Sequence, residues 1–492
     1  MRGSCGAPGV GTPVARSPSL RGLPCPRESS ACRWPQRPPS SCPPRAPPPS
    51  WPPRGTPPRA PPPPPHRGFA RADFDGDGYP DVAIGAPGGT VNGRAYAGYF
   101  TVVYGMGQGP DGVKRQVISQ NRYGIPGTAE AGDRFGSDLT AADLDGDGYT
   151  DLVVGSPGED VGGARDVGRR TVLWGSVGGL IDAAVVGEGR AATRAGDFDG
   201  DGHLDLATAY ETRYGPISRT GVPARTGPLV DLDVRVYAMS AGDVDGDGRT
   251  DLVVSSGSWD SDDGGTVPPP RLQLLRGTPD GLVAGPLVAA ADTVSADSIA
   301  LGDVDHDGHQ DVVFGRSTAT GGGLVGVVRG TADGFAARAT LIGQDTPGVP
   351  GTGESGDRFG TDVSVGDVTG DGYADVVAGL PGEDHAGRTD ADTFAVLRGS
   401  RTGLSGSAVQ VFSQNTAGVP GTAENGDAFG GRTAVVGGHV VVSAPKENGG
   451  SGGVWVFAGT ASGIPATGSV GYGPHTLAAP EKGAQLGAAF QR

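Results

Sequence analysis

From Asp73 onward the chain alternates short apolar runs with polar segments rich in Gly and Asp. Runs such as Val82-Ala83-Ile84, Leu152-Val153-Val154, Leu252-Val253-Val254, Val312-Val313-Phe314 and Val376-Val377-Ala378 favour strands and are too short for helices. A second apolar run follows about 15–25 residues later and stops at a G-[ST]-x-x-G-apolar turn, at 175–180, 277–282, 330–335, 399–404 and 459–464. No stretch of useful length has a 3.6-residue period. Each unit predicts a small antiparallel meander, and the chain an all-β protein.

One nine-residue pattern punctuates these units: DFDGDGYPD (73–81), DLDGDGYTD (143–151), DFDGDGHLD (197–205), DVDGDGRTD (243–251), DVDHDGHQD (303–311) and DVTGDGYAD (367–375). The six copies start 46 to 70 residues apart, so a period of roughly 60 divides residues 67–492 into seven units. Four-stranded units of this size, set side by side, predict a seven-bladed β-propeller, in which only short sheet edges are left open. The seventh unit lacks the pattern; Gly437-Gly438 turns directly into HVVVSAP (439–445). The first unit has prolines where its opening strand should be, while GAQLGAAF (483–490) reads as an orphan strand expected to complete it.

Composition separates two regions. Residues 1–66 hold all four Cys, 22 of the 43 Pro, nine Arg and a single acidic residue, Glu28. The run Pro61 to Pro65 lacks backbone donors and favours extended polyproline II, so 1–66 is expected to be a disordered Pro/Arg-rich segment. It shows no secretory leader of basic start, apolar core and small-residue cleavage site. It is read either as a genuine basic tail or as a displaced reading-frame start. Removing it leaves 30 basic and 54 acidic residues over 67–492, a net charge of −24. Such a surface disfavours nucleic acid or anionic membrane as partners and favours cations. No apolar run is long enough for a transmembrane helix, so no membrane insertion is expected.

Just before the Asp-rich loops stand GDRFGSDL (132–139), GDRFGTDV (356–363) and GDAFGGRT (426–433), and after them IGAP (84–87), VGSP (154–157), AGLP (378–381) and VSAP (442–445). With these motifs the sequence resembles the FG-GAP repeat family, to which the seven-bladed propeller of integrin alpha subunits belongs. The resemblance covers 67–492 and weakens in units 3, 4 and 5, where TAYE (208–211), SSGS (255–258) and FGRS (314–317) replace the GAP element. The outer strands of the short third unit are left open.

In D-x-D-x-D-G-x-x-D, carboxylates at positions one, three, five and nine and the carbonyl at position seven can converge on one hard cation. Oxygen-only ligation by several carboxylates favours Ca²⁺ over Mg²⁺. A plain D-G hairpin turn is the alternative, but it leaves the repulsion of so many clustered carboxylates unexplained. An EF-hand would need an acidic twelfth residue between two helices; here that position is Ile84, Val154, Thr208, Val254, Phe314 or Ala378. The expected ligands are Asp73, Asp75, Asp77, Tyr79 and Asp81; Asp143, Asp145, Asp147, Tyr149 and Asp151; and Asp197, Asp199, Asp201, His203 and Asp205. The other three loops would supply Asp243, Asp245, Asp247, Arg249 and Asp251; Asp303, Asp305, Asp307, His309 and Asp311; and Asp367, Thr369, Asp371, Tyr373 and Asp375. Up to six Ca²⁺ are expected, with the sixth site weakest because Thr369 replaces a carboxylate. His306 stands where the other loops have Gly, at a backbone cost if that position is left-handed. Extracellular calcium modules commonly bind with dissociation constants of about 10⁻⁴–10⁻³ M. That range exceeds cytosolic calcium, so a secreted or cell-surface location is expected.

If each Asp-rich loop joins the first two strands of a blade, the blade-to-blade connections lie on the opposite face. Three of these are alike: 119–136, 343–360 and 413–430, each with G-[IV]-P-G, with PEKGAQLG (480–487) as a remnant. The loops SPGEDVGG (156–163) and LPGEDHAG (380–387) put Glu159, Asp160, Glu383 and Asp384 on the same side. The integrin resemblance implies a ligand-binding surface there, for protein or glycan; the alternative is that these acids merely cap tight connections. No catalytic motif is found: GGSGG (449–453) fits a nucleophile elbow by composition but lies between strands, and His385, His439 and His475 have no zinc spacing. The expected function is a monomeric, non-catalytic adhesion or recognition module, with a secreted polysaccharide hydrolase or lyase as the alternative.

Overall fold

The short apolar runs form strands as expected, and these assemble into seven four-stranded antiparallel sheets, the blades of a propeller. The computed structural model describes residues 72–492 except 106–108, 110–111, 123, 230–234, 258–270, 288–295 and 385–391. The segment 1–66, expected to be disordered, lies outside the described residues, as does His385.

Blade 2 shows the plan. Its inner strand Leu139–Ala142 pairs with Asp151–Ser156, then Arg169–Trp174, then the outer Ile181–Glu188. The inner strands of blades 3 to 7 are Arg194–Gly196, Arg235–Gly242, Ser298–Gly302, Val363–Gly366 and Arg432–Val436. The third unit, open in the sequence, does form four strands, ending with Glu211–Tyr214 and Arg225–Pro228. Blade 1 takes its inner strand from the far end of the chain: Ala489–Phe490 pairs with Val82–Ala86 through Ile84 opposite Phe490. In blade 7, Gly437 and Gly438 both have positive φ and turn Val436 back onto His439. Glu447–Gly450 is the one helical turn among the described residues.

The second strands, such as Val82–Ala86, Asp251–Gly257 and Asp375–Leu380, are buried along their whole length. They lie between neighbouring blades, which explains why their sequences are near-continuously apolar rather than alternating. The core is accordingly divided into seven clusters, each shared by two adjacent blades. Phe100 of blade 1 packs on Phe135 of blade 2 with ring centroids 5.7 Å apart, and Phe394 of blade 6 on Phe429 of blade 7 at 5.7 Å. The three FG phenylalanines, Phe135, Phe359 and Phe429, are fully buried, which is worth about 1.5–3 kcal/mol each.

The FG and GAP motifs are two halves of one contact. A Cβ on Gly85 would come 2.2 Å from the Gly136 carbonyl of the next blade, and one on Gly379 would come 2.0 Å from that of Gly430. Only glycine permits this approach of two backbones.

Candidate metal centres

Five Asp-rich loops join the inner strand of a blade to the second, and the first leads directly into Val82–Ala86, the second strand of blade 1, so all six lie at the same end of the second strands and on one face. Within a loop the first Asp organises the backbone: Asp73 accepts from the amides of Asp77 (3.1 Å) and Gly78 (2.9 Å). Asp143, Asp197, Asp303 and Asp367 do the same in their own loops. The fourth residue is left-handed throughout, including His306 at φ 58°. His306 is anchored across the loop boundary, its Nδ1 2.7 Å from the Gly372 carbonyl and its ring edge-on to Tyr373.

In five loops the carboxylates at positions one, three and nine converge, with oxygens within 4.8 Å of one another: Asp73/Asp75/Asp81, Asp143/Asp145/Asp151, Asp197/Asp199/Asp205, Asp243/Asp245/Asp251 and Asp303/Asp305/Asp311. The fifth-position residues Asp77, Asp147, Asp201, Asp247 and Asp307 stand outside these triads. Each accepts the amide of the seventh residue, Tyr79, Tyr149, His203, Arg249 or His309, at 2.8–3.0 Å. Asp371 does the same with Tyr373 at 3.1 Å. The sixth loop, with Asp367, Thr369 and Asp375, forms no triad, and the Thr369 hydroxyl is buried without a hydrogen-bond partner.

The ninth Asp has a structural task that its spacing did not reveal. Asp81 accepts from Phe74 N (2.7 Å) inside its loop and from Gly105 N (2.8 Å) at the far end of the third strand. Asp151, Asp205, Asp251, Asp311 and Asp375 repeat this clip with Gly175, Gly215, Gly277, Gly330 and Gly399. Burial pushes their carboxyls up, to about 7 at Asp81, Asp151, Asp205 and Asp311 and to about 6 at Asp251, against the stabilising amide bonds.

The loops also bind one another. Thr150 N donates to the Asp73 carbonyl at 2.9 Å, and the same link runs from Thr250 to Asp197, Gln310 to Asp243 and Ala374 to Asp303.

A basic side chain reaches the third-position carboxylate of every triad: Lys114 at Asp75, Arg219 at Asp145 (2.6 Å), Arg225 at Asp199 (2.7 Å), Arg276 at Asp245 (3.4 Å) and Arg329 at Asp305 (2.6 Å). Arg276 and Arg329 directly precede the turn glycines Gly277 and Gly330. Where an aromatic residue holds that place, the cation lies over its ring instead: Lys114 over Tyr104, Arg219 over Trp174, Arg225 over Tyr214. In the sixth loop the equivalent Arg398 faces no third carboxylate; it donates to the Ala461 carbonyl. These cations were not singled out from the sequence. The recurring R-G-[ST] at 276–278, 329–331 and 398–400 was the available signal.

The residues fit a hard divalent cation. At Asp305, Oδ2 meets Arg329 while Oδ1 is buried with no hydrogen-bond partner. One added cation would supply that partner and help the Asp305 and Asp311 carboxyls, pushed up by burial and by neighbouring carboxylates, to stay ionised.

The opposite face carries a second repeated arrangement. Glu159 accepts from Gln120 Nε2 and Arg169 Nη1, each at 2.5 Å, Glu383 from Gln344 (2.6 Å) and Glu447 from Gln414 (2.8 Å). Asp133, Asp357 and Asp427 accept the amides of Glu130, Glu354 and Glu424 at 2.5–2.8 Å. Glu159 is buried and Glu383 half-buried, so both expected ligand-face residues are turned into the junction between blades. Asp160 and Asp384 are exposed.

A ring of seven blades with Asp-rich loops on one face defines a repeat propeller with candidate metal centres. The FG-GAP repeat family model matches residues 67–103, 135–173 and 359–397, and the FG-GAP-like repeat model matches 243–314. The chain is an FG-GAP-repeat β-propeller resembling that of integrin alpha subunits. Among curated proteins it is similar to phosphatidylinositol-glycan-specific phospholipase D of Rattus norvegicus, 29% identical over 164 residues, covering 32% of this chain and 19% of the relative. It is also similar to integrin alpha-PS2 of Drosophila melanogaster, 33% identical over 153 residues (27% of this chain, 10% of the relative). Integrin alpha-5 of Xenopus laevis is 40% identical over 89 residues (18% and 8%). The chain thus spans a fifth or less of the length of these relatives.

Proposed function

We propose that this propeller is a calcium-binding extracellular recognition module that engages a protein or glycan on the face opposite its metal loops. The observation that carries this reading is the set of five converging carboxylate triads confined to one face. Ca²⁺ held there by positions one, three and nine would neutralise the triads and tie each inner hairpin to the turn after the third strand. The opposite face is left to the junction loops and the mouth of the ring. Asp160 and Asp384 remain candidates for ligand contact there, and similarity to two integrin alpha chains supports a protein-facing role. The weak affinity usual for extracellular calcium modules supports a location outside the cytosol.

A hydrolase or lyase would need two carboxylates about 5–9.5 Å apart in a pocket. The carboxylates nearest the axis, Asp138, Asp297 and Asp362, all have hydrogen-bonding partners, which favours recognition over catalysis. The test is capture of ligands from protein and glycan arrays by the intact chain, with calcium and with chelator, alongside its melting temperature. Binding and melting that ignore chelator would overturn the calcium reading; hydrolysis of an arrayed glycan would overturn the non-catalytic one.

A further inference from the structure

At the axis, on the face away from the metal loops, lies a cavity of about 1020 Å³. The opening residues of all seven inner strands converge on it, among them Asp138, Arg194, Arg235, Ser298, Asp362 and Arg432. A second cavity of about 390 Å³ adjoins it through Thr361, Arg432 and Ala488 and adds Arg358 and Lys446, with no carboxylate in its lining. The concentration of cations is notable in a chain of 55 acidic and 39 basic residues.

The carboxylates here are already engaged. Asp138 meets Arg194 at 3.3 Å, and Asp362 meets Arg492 at 2.6 Å. Asp297 accepts from the amide and hydroxyl of Ser317 at 2.8 and 2.6 Å. By contrast Arg235, Arg358, Arg432 and Lys446 form no ion pair among the described residues. Arg432 donates one Nη1 bond, to the Gly431 carbonyl at 2.9 Å. Four cations that form no ion pair among the described residues, set around a concave site, focus a positive field inside an acidic molecule. Their planar or three-fold donors suit carboxylate, sulfate or phosphate oxygens.

Two exposed aromatic residues also line the axial cavity, Tyr210 at 68% exposure and Tyr237 at 41%. An exposed ring beside a guanidinium offers an apolar face and a charged donor together. The volume is that of sites for small molecules and short oligomers. A flat ring bearing hydroxyls and a carboxylate matches all three features.

We propose that this axial site binds an acidic oligosaccharide, its carboxylates held by Arg432, Arg358 and Lys446 and a sugar ring set against Tyr237. The inference rests on the recognition reading and names the ligand class for it. The test is titration calorimetry on the intact calcium-loaded chain, at low salt, with three probes: a galacturonic-acid trimer, its methyl ester and a glutamic-acid tripeptide. The free trimer should bind, and the ester should bind at least about tenfold more weakly. Arg432→Gln and Arg358→Gln should each lower trimer affinity by about tenfold while melting stays unchanged. Arg401→Gln, in the turn 399–404 on the metal face, should leave affinity unchanged. Equal binding of trimer and ester, trimer affinity unaltered in Arg432→Gln, or binding of the tripeptide alone would each overturn the proposal. So would no binding of any probe, while the array experiment decides the recognition reading separately.

Discussion

Thr150 and Asp73 hold each other twice: the Thr150 amide donates to the Asp73 carbonyl at 2.9 Å, and the Asp73 amide donates to Thr150 Oγ1 at 3.0 Å. One residue is the eighth of the second metal loop and the other begins the first. The two loops are therefore parts of one hydrogen-bonded belt, and what orders one helps to order its neighbour. Thr150→Val keeps the shape and removes the hydroxyl. It should cost about 0.5–1.5 kcal/mol in urea unfolding, and it should reduce the calcium-induced gain in stability of Asp145→Asn, in which the second loop is already impaired, by less than that of the wild type.

Thr369→Asp should add a third carboxylate to the sixth loop and raise the number of calcium ions bound by one, counted by calorimetry or native mass spectrometry. The gain is expected because Asp367 and Asp375 are already in place, with Arg398 free of a carboxylate partner and able to take up the new one. An unchanged count would show that the loop lacks more than its third ligand.

Arg329 stands beside Asp305 as an internal counter-charge. In chelator, Arg329→Gln should lower the melting temperature, since the triad then has no neighbouring cation. With saturating calcium the loss should be smaller, and calcium affinity at that loop should rise because a like charge has been removed. Equal losses in both conditions would mean that Arg329 contributes packing alone.

Burial pushes the Glu447 carboxyl up to about 7, with Asp427 nearby adding to the rise. An acid whose folded pKa is raised holds its proton in the folded state while the unfolded chain has released it. Its stabilisation is complete below the unfolded value of about 4.5 and is lost as pH rises through about 7. Asp133, raised to about 6, acts in the same direction. Urea unfolding across this window should show declining stability with rising pH, and Glu447→Gln should flatten the decline.

Phe429 is packed between Phe394 and Trp455, with ring centroids 5.7 and 5.1 Å away. Phe429→Ala should cost about 3–5 kcal/mol, measured by chemical denaturation. The loss should fall on the contact between blades 6 and 7.

Much of this architecture was legible in the sequence because its signals are local. The nine-residue loops, the FG and GAP strings, the Gly437-Gly438 turn and the orphan strand near Phe490 each announce themselves within ten residues. Other features depend on convergence. Gln120 and Glu159 meet across 39 positions, as do Gln344 and Glu383, so acids expected to face a ligand instead join blades. The cations on the triads come from different places in each blade, before a turn glycine at Arg329 but from a neighbouring blade at Arg219. The axial cavity is assembled from the opening residues of seven inner strands and the turns beside them, and no spacing marks it.

The seam of the ring has a kinetic meaning. Ile84 finds its partner Phe490 only after blades 2 to 7 have been made. A growing polypeptide can complete blades 2 to 6 one after another while the second strand of blade 1 still has an open edge. Closure is thus the slow, long-range event of folding, and the nascent wheel stays vulnerable to mispairing at Val82–Ala86 until it is locked shut.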